Sequence, residues 1–104
     1  MDILLIGNGA REHAIAEALR KNADVSLFSY LKSRNPGIVS LSKDIFVADY
    51  SNMAAIEAFA KKIKPDFVFV GPEDPLNNGV VDMLSSIGIK AVGPTRNLAR
   101  LETS

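Results

Sequence analysis

The stretch "LLIGNGAREHA", residues 4–14, decides the fold. It runs from an apolar segment into a glycine pair and then into an Arg-Glu-His cluster. A continuous apolar run such as Ile3–Ile6 is what a strand buried on both faces requires, as in a parallel sheet. The glycines then mark a tight turn into a helix. That junction exposes unpaired N–H groups and a partial positive charge, and it is a common seat for phosphate.

Outward from this stretch, short apolar runs alternate with helical periods. Residues 11–21 form the first helical period, with Ile15, Ala18 and Leu19 on one face. Val25–Phe28 reads as a second strand, Ser33–Gly37 as a loop and Ile45–Val47 as a short third strand. Within the loop, Asn35-Pro36-Gly37 fits a type II turn. Ser51 or Asn52 caps the next helix, whose apolar positions are Ile56, Phe59, Ala60 and Ile63. Pro65 stops it, Phe67–Val70 is a fourth strand, and Leu76–Ile87 is a helix ended by Gly88. Ala91–Val92 closes as a fifth strand. Gly93-Pro94-Thr95 then turns the chain, with Thr95 capping a last turn or two through Glu102.

This alternation predicts an α/β fold. The expectation is a Rossmann-like open parallel five-stranded sheet, order 3-2-1-4-5, with helices on both faces. The order reverses between strands 1 and 4. The loops 7–11 and 71–75 should therefore meet at the carboxyl ends of those strands, where open α/β sheets bind ligands.

Composition narrows the function. The 104 residues suit one domain, 1–104, and carry twelve basic and twelve acidic side chains. A net charge of zero gives no electrostatic case for nucleic acid or an anionic membrane as partner. No stretch approaches the ~18–20 apolar residues of a membrane span. The start lacks the basic segment and long apolar run of a secretory signal, so a cytoplasmic protein is expected. There is no cysteine and a single histidine, His13, which argues against thiolate or His-rich metal sites.

The first loop passes part of the dinucleotide test and fails the rest. Gly7 and Gly9 stand as the first two glycines of G-x-G-x-x-G, but Glu12 occupies the third place. The acid expected near the end of strand 2 is also missing from Ser26–Tyr30. Phosphate binding remains open; NAD does not. Arg11 sits in the first helical turn, where a cation opposes the helix dipole, so it reads as an anion contact or as a solvated charge. Glu12 suits a helix start by itself. His13 reads as a packing residue or as a functional one. In the second loop, Pro72 and Pro75 stiffen a pair of carboxylates, Glu73 and Asp74. These read as contacts to sugar hydroxyls or an amine. Asp74 also reads as an N-cap before Pro75.

Four stretches together carry a resemblance: "GNGAREHA" (7–14), "NPG" (35–37), "GPEDPL" (71–76) and "GPTRNLARLE" (93–102). They resemble the amino-terminal domain of the phosphoribosylamine–glycine ligases, or glycinamide ribonucleotide synthetases, of the ATP-grasp superfamily. The resemblance implies the pre-ATP-grasp version of the Rossmann-like fold and a part in de novo purine biosynthesis. It implies a reaction in which 5-phosphoribosylamine attacks a glycyl phosphate made with ATP, giving glycinamide ribonucleotide, ADP and phosphate. ATP and Mg or Mn would bind in ATP-grasp domains outside this chain, leaving no cofactor, metal or catalytic residue here. The chain ends about where the family's next domain starts, and alone it is expected to be inactive. Gly7, Asn8, Gly9, Arg11, Glu12, Pro72 and Glu73 match the motifs, whereas Ala10 stands where the family usually has glycine. A left-handed backbone at Ala10 would be disfavoured.

The candidate substrate-binding residues are accordingly Gly7, Asn8, Gly9, Ala10, Arg11, Glu12, Pro72, Glu73 and Asp74. The amides of Asn8, Gly9 and Ala10, with Arg11, would take the 5-phosphate, and Glu73 the ribose hydroxyls or the amine. The competing readings are a nucleotide-binding regulatory module, the corresponding domain of another ATP-grasp enzyme, and a receiver-like signalling domain. The last needs acids after strand 1, where this chain has Gly7-Asn8-Gly9.

Overall fold

A computed structural model describes residues 1–71 and 76–92, with the side chains of all of these but 76–78. The elements are β1 (Asp2–Ile6), α1 (Ala10–Arg20), β2 (Ser26–Leu31), α2 (Pro36–Leu41), β3 (Asp44–Val47), α3 (Met53–Ile63), β4 (Phe67–Val70), α4 (Leu76–Ser86) and β5 (Ala91–Val92). All the strand pairings are parallel, in the order β3-β2-β1-β4-β5. This is the Rossmann-like sheet expected from the alternation.

The apolar run of β1 is explained by its alternation. Leu4 and Ile6 join Ile56, Phe59 and Ala60 of α3 and Val80 and Leu84 of α4 in one core cluster. Ile3 and Leu5 face the other way, into a cluster with Ala16 of α1 and Leu27 and Phe69 of the flanking strands. A strand with a helical layer on each side needs apolar residues at successive positions, not alternate ones.

Three local readings are corrected. The first concerns 33–37, read as a loop with a type II turn at Asn35-Pro36-Gly37. The chain instead enters α2 at Pro36, and the Asn35 side chain accepts hydrogen bonds from Gly37 N–H at 3.0 Å and Ile38 N–H at 3.3 Å. Asparagine before proline suits an N-cap as well as it suits a turn. The second is β2, which continues past Phe28 through Ser29 and Tyr30. Their polar atoms are satisfied inside: Ser29 Oγ pairs with Ser42 Oγ at 2.7 Å, and the Tyr30 hydroxyl donates to the Asp49 carbonyl at 2.8 Å. The third is the inner face of α1. Ala16 is fully buried beside Ile15 and Leu19, whereas Ala18 is exposed. The α3 positions hold: Ile56, Phe59 and Ala60 are buried and Ile63 packs against them. Asn52 caps that helix, accepting from Ala55 N–H at 3.1 Å. Gly88, at φ +82, ends the α4 segment in the left-handed region.

Candidate functional site

The reversal of strand order falls between β1 and β4, where Ile6 is in register with Val70. Beyond those residues Gly7 N–H donates to the Tyr30 carbonyl at 3.0 Å and Gly71 N–H to the Ile6 carbonyl at 2.7 Å. The first loop and the start of the second are thereby brought together at the carboxyl edge. Pro72, Glu73, Asp74 and Pro75 lie outside the described residues, as do the turn at Gly93-Pro94-Thr95 and everything after it.

Gly7 adopts φ +138, a conformation that side chains rarely take, so the first glycine is required by the backbone. Gly9 has φ −85 and serves as the N-cap of α1. Ala10 is the first residue of that helix, and the left-handed demand considered for it does not arise. Alanine is well suited to the place.

Glu12 is the best buried charged residue of the site, at 8% exposure. Its Oε1 accepts the Gly9 N–H at 3.1 Å, the N3-to-N-cap half of a capping box, since Gly9 has no side chain to return the bond. The same side chain lies across both loops. A Cβ built on Gly7 would stand 2.6 Å from Glu12 Cγ, and one built on Gly71 would stand 2.5 Å from it. The space beside both glycines is therefore taken by the Glu12 side chain.

Asn8 ties three loops. Its Nδ2 donates to Ser33 Oγ at 2.9 Å, its Oδ1 accepts the Tyr50 hydroxyl, and its carbonyl accepts Asn35 Nδ2 at 2.9 Å. Burial pushes the Tyr50 hydroxyl above the usual tyrosine range; a backbone hydrogen bond at Lys32 offsets part of this, and the negative charge of Glu12 adds to it. Tyr30 is raised by burial and then by the charge of Asp49. Asp49 itself is held low by hydrogen bonds from the N–H and hydroxyl of Ser51. His13 packs between α1 and α2: its Nε2 lies 3.0 Å from Glu17 Oε1, and a Cβ on Gly37 would meet its ring at 2.4 Å. "NPG" thus gains a role as cap and clearance, with Asn35 bracing the first loop. Tyr50 and Ser33 are site residues that the sequence reading missed, since a tyrosine three residues after a short strand carries no pattern of its own.

Arg11 is exposed on the first turn of α1. Among the described residues no cluster of His, Cys, Asp or Glu could hold a metal ion, and no helix is long and apolar enough to cross a membrane.

The model of the family "Phosphoribosylglycinamide synthetase, N domain" matches residues 1–102. The chain belongs to this family. It is 52% identical over all of its 104 residues to a phosphoribosylamine–glycine ligase of Methanocaldococcus jannaschii, and 49% identical to one of Methanococcus maripaludis. It spans about a quarter of the length of these relatives, 23% of each. Among solved structures it is similar in fold to glycinamide-RNase-transformylase T from Mycobacterium tuberculosis, with a TM-score of 0.73 over 88% of this chain and 26% of that one, at 12% identity. The ADP complex of N5-carboxyaminoimidazole ribonucleotide synthetase gives a TM-score of 0.71 over 86% and 22%, at 19% identity. In this chain the first loop and Gly71 reach the switch point of the sheet.

Proposed function

We propose that this chain is the amino-terminal, substrate-holding domain of a ligase that joins 5-phosphoribosylamine to glycine with ATP, releasing ADP and phosphate. The observation that carries the proposal is the meeting of the Gly7–Arg11 loop with Gly71 at the strand-order reversal, in a chain half identical to named phosphoribosylamine–glycine ligases. The 5-phosphate rests on the outer rim of the first loop, against the amides of Asn8 and Ala10 with Arg11. The Gly9 amide, first assigned to the phosphate as well, is engaged by Glu12 and acts indirectly, by holding the loop. Pro72, Glu73 and Asp74 complete the proposed substrate-binding set, with Glu73 taking the ribose hydroxyls or the amine. ATP with Mg or Mn binds in the domains that make up the rest of the protein and supplies the activated glycine. This domain's part is alignment: it presents a labile amine to an acceptor formed next door, and such positioning lowers a barrier by several kcal/mol without an acid or base.

Ribose 5-phosphate, a stable surrogate, tests the reading by titration into the isotope-labelled chain. Amide shifts are expected at 8–11 and at Gly71, Glu73 and Asp74. Shifts confined to other regions refute the site, and protection by a dinucleotide in place of ribose 5-phosphate favours a nucleotide-binding regulatory module.

A further inference from the structure

We infer that Glu12 is the selectivity element of the crevice: its carboxylate occupies the seat where a G-x-G-x-x-G domain holds a pyrophosphate, and so keeps diphosphate-bearing nucleotides out. In such domains the first glycine makes the turn, the second admits the phosphates to the backbone, and the third lets the helix pack closely. Here the first two are present and the third is Glu12.

The side chain does not extend into solvent. It folds back to 8% exposure, and Oε1 takes the N–H of the second glycine at 3.1 Å, a bond of the kind a phosphate oxygen would make. The space that Gly7 and Gly71 leave open is taken by its Cγ and carboxyl group, at 2.6 Å and 2.7 Å from a Cβ on Gly7 or Gly71 respectively. An anion is already seated at the start of α1, and it belongs to the chain. A diphosphate would have to displace a buried carboxylate and then lie beside its negative charge. A sugar monophosphate held by the Asn8 and Ala10 amides leaves the Gly9–Glu12 bond in place. The inference stands apart from the ligase proposal, because it concerns what the inner seat rejects.

Substitution Glu12→Gly writes the full G-x-G-x-x-G into the chain and empties the seat. Inorganic pyrophosphate is the probe, read by calorimetry and by amide shifts, with ribose 5-phosphate as a parallel arm. Glu12→Gly is expected to bind pyrophosphate at least about tenfold more tightly than the wild type, with the largest shifts at Gly9 and Gly71. Glu12→Gln fills the same volume without charge and is expected to stay within about threefold of the wild type. A folded Glu12→Gly chain with no gain overturns the inference. An equal gain in Glu12→Gln keeps Glu12 as the excluding residue and assigns the exclusion to its charge. Should Glu12→Gly fail to fold by circular dichroism, Glu12→Ala takes its place with the same outcomes. The wild type decides independently: saturable pyrophosphate shifts at Gly71 contradict an occupied seat, and an unmoved Gly71 supports it. Failure of ribose 5-phosphate to bind the wild type would count against the ligase site and leave this result untouched.

Discussion

A methyl group on Gly71 would stand 2.5 Å from Glu12 Cγ and 3.0 Å from the Ile6 carbonyl oxygen. The first contact forces the Glu12 side chain to shift, and the second is tighter than most real Cβ contacts and is made with a carbonyl that belongs to the sheet. Gly71→Ala should therefore destabilise the chain by about 1–3 kcal/mol, the usual cost of overfilling a packed place. In a Glu12→Ala background the clash with Cγ is gone and only the carbonyl remains, so the penalty should fall. Urea unfolding of the two single variants and the double variant measures the coupling, and strict additivity would mean that Glu12 does not lie between the loops. The titratable neighbours give a second expectation. Both tyrosines of the chain have raised pKa values, burial being the main cause. The folded state then holds the phenolic proton more tightly than the unfolded state. The stabilisation is fully present below the ordinary tyrosine pKa and is lost as pH rises through the folded values. Absorbance of phenolate should rise later than in the denatured chain, and Tyr50→Phe should remove one of the two late steps. Asp49 runs the other way: its lowered pKa favours the fold above the ordinary carboxylate range and loses that contribution as pH falls. Glu12 shows how far the sequence alone reaches at this scale. Its misfit to the dinucleotide motif was legible, but its fold-back was not, because the space it fills is made by Gly71, far away in the chain.

Among the elements, α2 is where sequence and structure part most. It is six residues long, with proline and glycine as its first two residues. Isolated helices so short have no stability of their own, so local pattern gives no signal and tertiary contacts decide. Those contacts are His13 against Gly37, buried Ile38, and Asn35, which caps the helix and donates to the Asn8 carbonyl. Asn35→Ala removes the cap and the brace together. A loss of about 1–2 kcal/mol is expected, at the upper part of the range for N-caps. Amide exchange should quicken first at Gly37 and Ile38, which lose their acceptor, and exchange confined to the far end of α2 would contradict the capping account. The longer helices were legible for the opposite reason. In α3, Ile56, Phe59, Ala60 and Ile63 recur at the helical period and all face one cluster. In β2 the sequence reading stopped at Phe28 because Ser29 and Tyr30 look like a strand's end. Their bonds to Ser42 and Asp49 lie across loops that no local window contains.

At the scale of the whole molecule, the sheet divides the core into two clusters, and β1 belongs to both. Leu4 and Leu5 are adjacent in sequence, fully buried, and on opposite faces. A sheet with one wet face would tolerate loss of one of them; this one should tolerate neither. Each change to alanine is expected to cost about 2–5 kcal/mol, as for buried leucines elsewhere. Domains of this size have about 5–15 kcal/mol of stability in all. The single variants should fold with lowered unfolding midpoints, and the double variant should be largely unfolded at room temperature, measured by circular dichroism and urea titration. Near-wild-type stability of either single variant would show that one helical layer does not cover its face. The consequence reaches the site, because the switch point is the continuation of β1 and β4 beyond Ile6 and Val70. The Gly7 and Gly71 amides hang from carbonyls of Tyr30 and Ile6 inside the sheet. Loss of either helical layer therefore loosens the crevice as well as the core, and a folded Leu4→Ala or Leu5→Ala chain should exchange its Gly7 and Gly71 amides faster than the parent in proportion to the stability lost.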